Sequence, residues 1–413
     1  MKLLKPSLIA LSLVSSFAAF SESVAITNAT IYTSNDQGVL TNASIVFEDG
    51  VITAVNPATV SADTVINAEG KVVTAGIISA LNQVGLVEVS AVSTSRDGSA
   101  KKASVTFDPS YAFNAESTLI PFARKAGITR SVVSPYSWGE TFHGQTFNVL
   151  MNSKLDSVET SKTAVVVTIG AASKDSRASS IIEIRNKLKD QKDKLAKASE
   201  ESEEDKKSDK EPSAEEKAYT SLLNGEIPLV AWASRASDLL HLIDIKNEFG
   251  VKVVIAGGKD ATKVKDELAK AEITVMVNVV DNLPGNFDSL GADLVTAGEL
   301  EKAGVDVIVF NSDSHMIHNL RFDAGNAVSY GMSSEGAIKA LTSNVAKAFN
   351  MNAGTLAKGH PADVVLWSGD PLEISSYAES VWINGEKVST ESRHDKLRDR
   401  YTSKEAKARS YIK

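Results

Sequence analysis

At 413 residues, with 43% hydrophobic and 23% charged content, the chain is too long for one small core and predicts a large globular domain joined to a smaller one. A net charge of -8 without a clustered basic face excludes a nucleic-acid surface. The absence of cysteine excludes disulfides, thiolate metal sites and a cysteine nucleophile.

Lys2 and Lys5 precede an uncharged run from Pro6 to Phe20 that is too short to span a bilayer comfortably. Residues 1–21 therefore read as a secretory signal peptide cleaved after Ser21, with Ala18 as a competing site and a retained anchor as the alternative. No later run is long and apolar enough for a membrane span. The mature protein is expected to be exported, periplasmic in a Gram-negative source, and free of the membrane after cleavage.

From Val24 to Val73, short β-rich runs alternate with turn signals at Asp49-Gly50 and Glu69-Gly70, which predicts antiparallel hairpins. The pattern returns in ADVVLWSGD and ESVWINGEKVS, where Asn384-Gly385 supplies another turn. Neither piece suffices for a core alone, so 22–75 and 357–390 are expected to build one composite β-sandwich around an inserted domain. Inside 76–356, eight apolar runs predict parallel strands: Ile77 to Leu81, Arg130 to Ser134, Thr146 to Met151, Ala164 to Ile169, Ile227 to Ala231, Val251 to Ala256, Ile273 to Asn278 and Asp306 to Phe310. Amphipathic stretches such as SDLLHLIDIKNEFG lie between them. This rhythm predicts an α/β fold of the (β/α)8 TIM-barrel type, with functional groups at the C-terminal ends of the strands. Lys187 to Lys217 is nearly all charged and reads as a solvated insertion, a partner-binding element being the alternative; 391–413 reads as a polar tail.

VVTAGIISALNQVG and FNSDSH, with KAGITRSVVSP, IPLVAWASRASDLL and GTLAKGHPADVVLWSGDP, resemble the amidohydrolase superfamily, in particular its imidazolonepropionase-like branch. The resemblance covers nearly the whole mature chain and implies a metal-bearing barrel beside a composite urease-like β-domain. In that family an H-x-H after the first barrel strand, histidines on the fifth and sixth strands and an aspartate after the eighth hold divalent metal. Matched to this pattern, the ligand positions carry Leu81, Gln83, Trp232, Ser234 and Gly257, and only the acid remains, as Asp313. A lone carboxylate among such side chains does not supply the three protein ligands of a catalytic zinc. The resemblance therefore implies a degenerate member without the family's metal-activated water.

Asp313 is the candidate catalytic residue, either as a general base or as a brace for its own loop through backbone N–H groups. His143 and Gln145, in a His-Gly-Gln segment expected to form a loop, are candidate pocket residues; the alternative is a turn carried by Gly144. Trp232 reads as a space filler at a former ligand position or as an apolar stacking floor. Arg235 is a candidate carboxylate binder or a partner of Asp238. His315 lies at the barrel mouth. His143, Asp313, His315 and His318 form the alternative set for one relocated divalent metal such as zinc. His241, His360 and His394 receive no chemistry. The expected function is a metal-free, non-catalytic protein that binds a small molecule in the barrel mouth or serves as partner to a catalytically competent relative. The alternative is a hydrolase of carbon–nitrogen bonds using Asp313, with or without the relocated metal.

Overall fold

A computed structural model gives the fold and describes residues 22–170, 175–200 and 211–403. The expected signal peptide, 1–21, and the centre of the charged insertion, 201–210, lie outside the described residues.

The smaller domain begins with β1 (Val24–Tyr32), β2 (Val39–Glu48), β3 (Val51–Val55), β4 (Thr64–Asn67) and β5 (Val72–Ala75). The barrel strands follow as β6 (Ile77–Asn82), β7 (Ile128–Val133), β8 (Phe142–Leu150), β9 (Val158–Thr168), β10 (Leu229–Ala233), β11 (Val253–Gly257), β12 (Thr274–Val277) and β13 (Val307–Val309). The chain then returns to the first sheet with β14 (Val364–Trp367), β15 (Ala378–Ile383) and β16 (Glu386–Val388). The helices are α1 (Leu119–Arg124), α2 (Arg177–Glu200), α3 (Ala214–Leu223), α4 (Ala236–Phe249), α5 (Lys265–Lys270), α6 (Thr296–Lys302), α7 (Leu320–Ser329), α8 (Ser334–Leu341), α9 (Ser343–Ala348) and α10 (Arg393–Thr402). None of them is long and apolar enough to cross a membrane.

Both chain ends enter one sheet, ordered β16-β15-β14-β5-β1-β2-β3, with β4 beside β1. It is the additional β-domain built from both ends, with its strands joined in one hydrogen-bonded path and its own apolar cluster of Ile26, Ile45, Phe47, Ile52, Val364 and Trp382. Asp49-Gly50 and Asn384-Gly385 have positive φ at both residues and close the β2–β3 and β15–β16 hairpins. Glu69-Gly70 has the same backbone but makes no hairpin. The strands it joins, β4 and β5, both run parallel to β1, along its first and second halves.

The second sheet runs in sequence order from β6 to β13. The expected strands β6–β7 and β9 to β13 pair in parallel, but β8 is antiparallel to both β7 and β9. The cause is connection length: β7 ends at Val133 and β8 begins at Phe142, and β8 ends at Leu150 with β9 beginning at Val158. Such links are too short for a helical crossover, which takes a dozen or more residues. The curled sheet encloses an apolar interior in which Ile78, Val132, Val166, Val230, Ala256 and Ile308 meet Val345 and Phe349 from α9 and its end.

The charged insertion is flanked by two helices, and its described residues at either end belong to α2 and α3. Ile184 and Leu188 of α2 join Tyr219 and Leu222 of α3 in the main core, while α2 beyond Gln191 is exposed. The described part of the tail folds as α10, where Asp395 closes a capping box with Ser392 and pairs with Lys125 beside α1 at 2.5 Å; 404–413 lie outside the described residues. Those contacts, the Lys125 hydrogen bond first, hold the Asp395 carboxyl well below the usual carboxylate range.

Candidate functional site

The C-terminal ends of the barrel strands are where a fold of this kind gathers its chemistry. Leu81, at the end of β6, is buried and holds a left-handed backbone (φ +52), a strained state for a bulky residue. It belongs to the apolar interior. Trp232, near the end of β10, packs edge-on against Phe310 with ring centroids 5.5 Å apart, and the two close the same interior toward the mouth. At Gly257 the backbone is also left-handed (φ +101), so a side chain there would be strained. Gln83 is tied by its backbone N–H to Ser314 Oγ at 2.9 Å, which joins the end of β6 to the loop after β13.

Above Trp232 lies a cavity of about 440 Å3, formed by the ends of β9, β10 and β11 and the loop that follows β12. Trp232, Ser234 and Gly257 line it, and the sequence reading did not anticipate its other polar groups: Thr168, Lys259, Asp281, Asn286, Asp288 and Ser289. Lys259 Nζ bonds Asp281 at 2.6 Å. Asp288, on the loop, is held by Arg177 at 2.8 Å and by Arg235 at 2.6 Å. Arg235 was a candidate carboxylate binder or a partner of Asp238; it holds Asp288, and Asp238 is paired with Arg177 at 3.2 Å. Asp238 lies deep under the N-terminus of α4, where burial pushes its carboxyl upward and Arg177 pulls it back. Arg235 and Arg177 therefore clamp the loop over the mouth.

His143 was expected in a mouth loop and lies instead within β8, only 2% exposed. Its Nε2 shares a 2.8 Å hydrogen bond with Thr168 Oγ1, and its Nδ1 is buried without a partner. Burial pulls its pKa from 6.5 to about 4. A hydroxyl beside an imidazole has the outline of a nucleophile–base pair, but a neutral ring this weakly basic, with no group to orient Nδ1, does not activate Thr168. Gln145 does not face a pocket as a free amide; its Nε2 donates to Val105 O at 2.8 Å. Gly144 forms a bulge in β8 where a turn was expected, and a Cβ there would lie 2.5 Å from Phe107 O.

Asp313 is exposed on the loop after β13, where one carboxylate oxygen accepts the backbone N–H of His315 at 2.9 Å. His318 turns away from the mouth: its Nδ1 lies 2.8 Å from His315 O, and its ring lies tilted against Phe122, which also touches His394 of α10. Behind the same loop, Asp323 is half-buried, and that burial pushes its carboxyl up to about 6 against a hydrogen bond from Asn311.

A catalytic zinc takes three protein ligands from imidazole, carboxylate or thiolate. The aliphatic, amide, indole, hydroxyl and glycine groups at the five matched positions do not fit such a site, and His143, Asp313, His315 and His318 are not brought together as a relocated one. Among the described residues no three histidine, aspartate or glutamate side chains converge on a metal position. A second cavity of about 510 Å3, at the junction of the two sheets, is lined by Arg130, Glu159 and Asn384, and the Arg130 guanidinium already donates to the other two.

His143 carries a pH prediction. The unfolded chain takes up a proton below pH 6.5 that the folded chain refuses until about pH 4, so this contribution is complete above pH 6.5 and is lost on acidification toward pH 4, by up to about 3 kcal/mol. Asp323 has the opposite sign, because its raised carboxyl lets the folded state bind a proton first. The readout is therefore a difference: urea denaturation should show the stability gap between parent and His143→Gln narrowing as pH falls from 6.5 to 4. A gap independent of pH would contradict the assignment.

The sequence model of the amidohydrolase family matches residues 152–388, more than half of the chain, and the chain belongs to that family. Among solved structures, an amidohydrolase from Thermotoga maritima MSB8 aligns with a TM-score of 0.79 at 23% identity, covering 89% of this chain and 99% of that one. A β-aspartyl dipeptidase from Fervidobacterium islandicum AW-1 aligns at 0.54 and 14% identity, and the ochratoxinase of A. niger at 0.54 and 15%; each covers 89% of this chain and 96% of the other. At these identities the likeness is one of fold. No curated protein sequence matches the chain.

Proposed function

We propose that this amidohydrolase-family chain works by binding: the mouth cavity holds a small molecule, and the protein serves as a binding or partner subunit, beside a catalytically competent relative, without metal-activated hydrolysis. One observation carries the reading: the volume beneath the mouth is filled by Trp232 packed on Phe310, with Leu81 in the same apolar cluster. Such a lining favours apolar contact with a ligand and offers no electrophile for a carbonyl oxygen.

The family itself supports a second reading at least as well. In it the chain hydrolyses carbon–nitrogen bonds of small amides or dipeptides, the β-aspartyl dipeptidase being a structural relative whose substrates fit that class. Asp313, exposed at the strand-eight loop, is the base this reading requires. A panel of N-acyl amino acids and dipeptides decides between them. The binding reading expects no turnover with or without added zinc or manganese. Turnover that disappears in Asp313→Asn would establish the hydrolase.

A further inference from the structure

Among the charged groups around the mouth cavity, Lys259 and Asp281 differ from the rest. Asp288 is held by two guanidinium groups, and Asp260 is occupied by Lys263 at 2.7 Å and by the Ala236 N–H at 3.3 Å. The Lys259–Asp281 pair is a single contact between unequal partners: the lysine side chain is 14% exposed and the aspartate 45%. Lys259 is thus fixed in the cavity wall while its carboxylate partner is about half open to water. An ion pair of this kind, half open to solvent, is weak and exchangeable. A ligand carboxylate that replaced Asp281 on Lys259 would keep the charge of the wall balanced and let Asp281 turn to solvent.

The rest of the wall indicates what such a carboxylate would be attached to. Trp232, Ile169 and Leu283 give the cavity an apolar side, Leu283 being 82% exposed at its rim. A volume of about 440 Å3 falls in the range of pockets that take small organic ligands. We infer that the mouth cavity binds small organic monocarboxylates with an apolar, ring-sized body, the carboxylate displacing Asp281 from Lys259 and the body lying on Trp232 and Leu283. This rests on the reading of the mouth as a binding site and adds the ligand class.

Three probes of one shape, phenylacetate, phenylacetamide and 2-phenylethylamine, titrated into the mature protein by calorimetry or ligand-observed NMR, test the inference. Phenylacetate should bind in preference to the other two, and Lys259→Met should weaken it about tenfold, as loss of a charge-assisted hydrogen bond implies. Asp281→Asn removes the competitor and should tighten phenylacetate about threefold, a gain that a merely structural salt bridge would not give. Equal or stronger binding of the amide or the amine overturns the carboxylate assignment while leaving the binding site standing, as does weaker phenylacetate binding in Asp281→Asn. Binding of none of the three overturns both.

Discussion

Arg130→Met should lower the stability of the protein by about 3–5 kcal/mol, the largest effect expected of any single polar substitution here. Arg130 leaves β7 at the junction of the two sheets, almost completely buried. Its guanidinium pairs with Asp363 and with both oxygens of Glu159 and donates to Asn384 Oδ1 at 2.9 Å. Burial alone would pull its pKa down, but the two carboxylates outweigh that and raise it. Asp363 also accepts the Asn384 backbone N–H at 2.9 Å, so the charge centre ties β7 to the turn between β15 and β16. Removing the cation strands a 3% exposed carboxylate between the domains. A denaturation series should show the loss, and Arg130→Met combined with Asp363→Asn should recover part of it. No recovery would mean that packing, and not charge, dominates the junction.

Phe310→Ala should cost about 3–5 kcal/mol and should open the barrel interior. Phe310 is buried at the end of β13 and supports Trp232 from below. Its removal leaves a space walled by apolar side chains, the kind of cavity that stays dry and admits small apolar molecules. Benzene should therefore raise the melting temperature of Phe310→Ala and leave the parent unchanged. An unchanged variant stability would show that the interior is not packed as described, and with it the filled-mouth argument would fall.

The alternation of apolar runs in 76–356 was legible because each buried strand carries a short β-rich segment, and every expected barrel strand overlaps an observed one. Direction was not legible for β8, since periodicity does not distinguish a hairpin from a crossover; the short links on either side of Phe142–Leu150 were the available signal. The Glu69-Gly70 turn misled for a related reason: its backbone was read correctly, but the partners of the strands it joins are set by β1, far away in sequence. At the site, Trp232, Ser234 and Gly257 were singled out from the family pattern, and all three line the mouth cavity. The pairing of Arg235 with Asp288 joins residues more than fifty positions apart and left no local trace. Lys259 and Asp281 were equally hidden, although Lys259 stands two residues beyond Gly257 and Asp281 opens the loop rich in exposed apolar residues after β12. His143 misled because a histidine beside glycine resembles a loop, whereas Gly144 permits a bulge inside a buried strand.

Zinc content tests the central claim most directly. The protein, purified after growth with added zinc and freed of loosely bound ions, should carry far less than one zinc per chain by elemental analysis, because the matched positions provide no set of three ligands. One zinc per chain, lost in Asp313→Ala, would contradict the account and return the barrel to metal-dependent hydrolysis.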